Sequence, residues 1–142
     1  MTRRLLFQLL AAVAAAGAFS ASAEDVVAVV SAKSPVTSLN SAQVADIFLG
    51  KTSRFPDGTS AVPIDQVEDS PVRDRFYAEY TGKSPAQVKA HWSKLIFTGR
   101  GQPPRQVANS AEAKRAIAED PHAIGYIDNR LVDASVRVLP PQ

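Results

Sequence analysis

The sequence contains no cysteine. Disulfides, zinc–thiolate centres, iron–sulfur clusters and cysteine nucleophiles are excluded, as is lipid attachment to a processed N-terminal cysteine. Histidine is nearly as scarce. His91 and His122 are the two present, and neither stands in a metal-ligand spacing. His91 lies beside Trp92 on a helical stretch and His122 follows Pro121 at a helix end, so structural roles suffice for both. No G-x-S-x-G elbow, Walker loop or dinucleotide fingerprint occurs. Gly99-Arg100-Gly101 follows a helical pattern rather than a strand, so it is not a Rossmann turn. Glu68-Asp69 reads as a solvated negative pair ahead of a helix start, where such charge is stabilising, rather than as an acid and a base. Hydrolase chemistry thus has no specific support, and no cofactor or metal is expected.

What is present suits one small globular domain. The chain has 142 residues, 45% hydrophobic and 21% charged, which is too apolar and too well mixed for disorder. Its N-terminus reads as an export signal. Arg3 and Arg4 precede an apolar run from Leu5 to Phe19, broken only by Gln8, and Ala21-Ser22-Ala23 supplies the small residues of a cleavage site. The run is short and alanine-rich for a membrane span. Two arginines alone are a weak twin-arginine motif, so the general secretory route is expected. The expected organisation is therefore a signal peptide over residues 1–23, a mature domain over 24–142, and a periplasmic location. Removing residues 1–23 takes Arg3 and Arg4 from the 16 basic side chains and nothing from the 14 acidic ones, so the mature charges balance. The chain mixes its signs, as in Arg73-Asp74-Arg75 and in Lys114-Arg115 beside Glu119-Asp120, and a nucleic-acid partner is set aside.

Strand and helix signals alternate along the mature chain. Val26 to Val30 is an unbroken β-favouring run of the kind buried on both faces, typical of a parallel sheet under helices. Asn40 to Gln43 forms a capping box that opens a helix burying Val44, Ile47 and Phe48, with Gly50 as its stop. Ala61 to Ile64 is a short strand, which Pro63 assigns to an edge or a strand start. Ser70-Pro71 starts a helix, since proline at the first helical position lacks only a donor that is unpaired anyway. Val72, Phe76 and Tyr80 share its inner face, and Gly82 ends it. Ser84 to Gln87 opens the next helix with a capping box, and Val88, Trp92, Leu95 and Ile96 form its apolar stripe. Asn109 to Glu112 is a further capping box that leads Ala113, Ala116 and Ile117 inward. Ile124 to Ile127 and Val136 to Val138 close the chain as strands. The order predicts an α/β domain with a mixed sheet flanked by helices. Its predicted core is Phe48, Phe76, Trp92, Ile96, Ile124 and Tyr126 around Val27, Val29 and Ile64.

Binding is what remains for function. Helix N-termini with free N–H groups favour anions, and four starts are visible, near Asn40, Ser70, Ser84 and Asn109. The Ser70 start follows a strand and carries Arg73 and Arg75. On the residues alone the simpler reading is that Ser70 caps its own helix and the arginines face water.

A resemblance favours the Ser70 start. Residues 38–51 (Ser-Leu-Asn-Ser-Ala-Gln-Val-Ala-Asp-Ile-Phe-Leu-Gly-Lys), Phe55-Pro56-Asp57-Gly58, Phe76, Trp92, Phe97-Thr98-Gly99, Pro103 and Ala123-Ile124-Gly125-Tyr126-Ile127 resemble the phosphate-type periplasmic substrate-binding proteins of ABC transporters. The resemblance covers nearly all of the mature chain. It implies one lobe of a type II periplasmic binding fold, like the short members made of essentially that lobe. In that family an arginine at a strand end and a Ser-Gly-Thr turn hold phosphate. Here Gln66 stands at the arginine's position and the turn reads Ser70-Pro71-Val72, so of its residues only the serine matches. The ligand-binding residues implied are Gln66, Ser70, Val72, Arg73 and Arg75, with Arg73 or Arg75 supplying the charge that Gln66 does not and with Glu68 and Asp69 opposing an anion. The leading expectation is a secreted, non-catalytic domain that binds a small phosphate-like oxyanion weakly, for ABC-type uptake or sensing. The alternative is an envelope or transporter-docking interaction module that has lost the ligand.

Overall fold

The computed structural model describes residues 25–140. The export segment and its exit at Ala23 lie outside the described residues. The elements run β1 (Val26–Ser31), α1 (Ser41–Phe48), β2 (Val62–Gln66), α2 (Pro71–Thr81), α3 (Pro85–Phe97), β3 (Arg105–Val107), α4 (Ser110–Glu119), β4 (Ala123–Asp128) and β5 (Val136–Leu139), with a 3-10 turn at Asn129–Leu131. The strands form one mixed sheet in the order β3-β2-β4-β1-β5. β2 is parallel to β3 and β4, whereas β1 is antiparallel to both β4 and β5.

The period-2 rule divides each central strand between two cores. Val26, Ala28 and Val30 of β1 join Ile124 and Tyr126 of β4 under α1, α2 and α3. Val29 joins Ile64, Ala123 and Ile127 under α4, with Ala113 and Ile117. The first core is aromatic. Phe76 stacks on Tyr126 at 4.0 Å between centroids, and Phe48 meets Phe76 edge-on at 4.8 Å. The second core is thin and depends on close approach. A Cβ added at Gly125 would lie 2.4 Å from Ile117 Cδ1, so the missing side chain is what lets α4 lie against β4.

The unbroken apolar run in β1 reports burial on both faces, which a central strand under two helix layers has whatever its direction. The expected parallel setting is corrected: both neighbours of β1 run antiparallel. Pro63 fits at the strand start. It pairs with Ile124 on one side, while pairing to β3 begins at Ile64, so its missing N–H breaks no ladder bond there. β3 escaped the sequence reading because it is three residues long with one side chain buried.

The capping boxes at Asn40 and Ser84 form as expected. At α4 Asn109 caps the helix, but the Glu112 carboxylate accepts from the Ala108 N–H at 3.1 Å rather than from Asn109, so the expected box is corrected to a simple cap. Within the predicted core, Ile96 is also corrected: it is 55% exposed. α3 packs through Val88, Trp92 and Leu95. Ile96 lies one residue beyond that line, where the last turn leaves the domain.

Candidate functional site

The connections after β2 and β3 leave to opposite sides of the sheet. α2 follows β2 onto the aromatic core, and α4 follows β3 onto the other core. Adjacent parallel strands whose helices diverge open a crevice at their carboxyl ends, where ligands of open α/β sheets bind. A cavity of about 720 Å³ lies there, lined by Gln66, Val67, the run from Asp69 to Val72, Ala108 to Ala111, Asp128, Arg130 and Leu131.

Gln66 organises this crevice. Its side chain is fully buried, because it ends a central strand between two helix starts. Its Oε1 accepts from the Ser70 hydroxyl at 2.9 Å, at the cap of α2. Its Nε2 donates to Ser110 Oγ at 3.2 Å, at the first residue of α4, and to the Tyr126 carbonyl at 3.1 Å. One amide thus joins both helix N-termini to β4. Ser110 Oγ also accepts from the Asp128 N–H at 3.1 Å. Ser70 and Asn109 accept the N–H groups of Arg73 and Glu112, the third helical residues. The earlier first-turn donors at Val72, Ser110 and Ala111 take no acceptor among the described residues. Both N-termini therefore present unclaimed N–H groups and the positive ends of their dipoles at one crevice.

Beneath Gln66 sits a buried carboxylate. Asp65 accepts from the Tyr77 hydroxyl at 2.6 Å, from the Tyr126 hydroxyl, and from the Gln66 N–H at 2.8 Å. The Arg73 Nε lies 3.4 Å from Asp65 Oδ1, and its guanidinium lies 5.0 Å above the Tyr77 ring. Burial, followed by the Asp65 charge, pushes both phenols well above the usual tyrosine range, so Tyr77 and Tyr126 act as neutral donors.

The expected ligand residues separate accordingly. Gln66, Ser70 and Val72 come together in the cavity lining. Arg73 is 6% exposed, lies against Asp65 below the crevice, and does not line it. Arg75 is directed away along α2, to Glu79 at 2.8 Å. The cation at the cavity is Arg130. It grips Asp128 through Nε and Nη2, at 2.7 Å for the latter, and that grip holds the Asp128 carboxyl below its ordinary range. Glu68 and Asp69 are exposed, and Asp69 lines the cavity. Sequence reasoning passed over Ser110, Asp128 and Arg130. The start at Asn109 was visible, but its convergence with Ser70 depends on β3.

No protein-family model and no curated protein matches the chain. Solved structures do. A protein described as a phosphate ABC transporter substrate-binding protein from Clostridium perfringens, with bound phosphate, superposes with a TM-score of 0.64 at 22% identity, over 82% of this chain and 44% of that one. An ABC-type phosphate transport receptor from Vibrio cholerae gives 0.63 at 19% identity, over 80% and 44%. PstS from Borrelia burgdorferi gives 0.54 at 14% identity, over 82% and 47%. The chain therefore shares the fold of part of these structures: a mixed sheet flanked by helices. The chain spans less than half the length of each of these solved structures. No described helix is long and apolar enough to cross a membrane.

Proposed function

We propose that this chain is an exported, periplasmic and non-catalytic substrate-binding-like domain. It holds a small phosphate-like oxyanion in the crevice between α2 and α4 and serves ABC-type uptake or sensing. The observation that carries this reading is the convergence of two helix N-termini, with unclaimed N–H groups, on a cavity at the carboxyl ends of parallel strands. The Val72, Ser110 and Ala111 amides receive the anion. Ser70 and Gln66 fix the spacing of the two helix starts, and Arg130 supplies charge from the rim. Arg73 supports the crevice from below through Asp65, and Arg75 stays outside it. Affinity is low, because Asp128 already neutralises Arg130 and Asp69 adds repulsion. A ligand that binds only the folded state raises the melting temperature. Phosphate and sulfate at low salt are expected to raise it, and chloride at matched ionic strength is not. No rise with any oxyanion would overturn the reading.

The alternative, an envelope interaction module that has lost its ligand, is favoured by one observation. Gln66 and the Asp128–Arg130 pair leave no unpaired side-chain cation in the described lining. It predicts the same melting temperature in every anion.

A further inference from the structure

The cationic residues of the chain are unevenly placed. Between Glu79 and Glu112 the sequence has no carboxylate, but it carries Lys83, Lys89, Lys94, Arg100 and Arg105. This stretch includes all of α3 and the loop after it. Val88, Trp92 and Leu95 turn inward. The opposite face presents Ala86, Ala90, Ser93 and Phe97 at helical spacing, flanked by Lys89 and Lys94, and all six are exposed. Phe97 is 91% exposed and Ile96 55%, the two most exposed large apolar side chains among the described residues. Next to them, at the opposite end of β2 from the oxyanion crevice, a second cavity of about 540 Å³ is lined by Lys51, Arg54, Arg100 and Trp92, with no carboxylate in its lining. Asp46 lines a neighbouring recess with Arg54.

We infer that the α3 face is a peripheral docking surface for an anionic phospholipid bilayer. Phe97 and Ile96 enter the headgroup–acyl boundary, and Lys89, Lys94 and Arg100 lie against the phosphates. The charge is complementary to anionic lipid, and no carboxylate on α3 or its loop opposes it. The exposed Phe97 and Ile96 are flanked by long flexible cations, which suits a fluid interface better than the shaped pocket of a folded partner.

The absence of cysteine makes the test site-specific in the full chain. Phe97→Cys, labelled with an environment-sensitive fluorophore, reports insertion at that position alone. Glu119→Cys on α4 is the control. Vesicles of equal parts phosphatidylglycerol and phosphatidylcholine are expected to raise and blue-shift emission at position 97 and leave position 119 unchanged, and pure phosphatidylcholine to do neither. Adding Lys89→Gln, Lys94→Gln and Arg100→Gln should weaken the response about fivefold per cation, roughly a hundredfold together. An unchanged signal at 97 with phosphatidylglycerol would overturn the inference and point to a protein partner for this face. An equal response at both positions, or to both lipids, would overturn it too.

Discussion

Asp65→Asn is the sharpest test of the buried network under the crevice. Asp65 is 1% exposed, accepts three hydrogen bonds, and lies 3.4 Å from the Arg73 Nε. The substitution keeps the shape, removes the charge and leaves a buried guanidinium uncompensated. Removing one partner of a buried ion pair costs about 3–5 kcal/mol. With a urea dependence of about 1.5 kcal/mol per molar, the unfolding midpoint falls by roughly 2–3 M. That approaches the whole stability of a domain at the low end of the usual range, about 5 kcal/mol. Combining Asp65→Asn with Arg73→Met removes both charges and should recover half or more of the loss, since the pair's worth lies mainly in mutual compensation. A single variant within about 1 kcal/mol of the parent, or a double variant no better than the single, would refute the role given to this pair.

Trp92→Ala should cost about 3–5 kcal/mol in the same unfolding assay, because Trp92 is buried over α1 with its ring against Gly50. Gly125→Ala should cost about 1–3 kcal/mol, since the new methyl group meets Ile117 within the thin second core. The domain should also lose stability in alkali. Tyr77 and Tyr126 keep their protons when folded, whereas the unfolded phenols release theirs above about pH 10, so stability falls there by about 1.4 kcal/mol per pH unit for each. Replacing both with Phe should flatten that limb of the stability–pH profile.

Local chemistry made most of the fold legible. Asn40, Ser70, Ser84 and Asn109 each cap the helix assigned to them, because capping needs only a short polar side chain and the next three residues. Strand direction was not legible in β1, whose apolar run records burial and not its neighbours. Ile96 misled because its period fits the stripe, while the body it would pack on ends one residue earlier. The crevice was half legible. Ser70 and Gln66 could be read from one strand–helix junction. Their partner Ser110 is 44 residues from Gln66 and reaches it only through the three-residue β3. Arg73 was expected at the crevice from the resemblance; the sequence does not reveal which way a long side chain turns, and buried Asp65 draws this one inward.

Calorimetric titration of phosphate at low ionic strength, into the parent chain, Asp69→Asn and Arg100→Ala, tests the central claim most directly. The account predicts weak saturable binding to the parent that declines with added salt. It predicts binding roughly two- to fivefold tighter in Asp69→Asn, where one nearby negative charge is gone. Arg100→Ala, at the far end of β2, should match the parent. No binding heat in any of the three, or a loss confined to Arg100→Ala, would contradict an oxyanion site between α2 and α4.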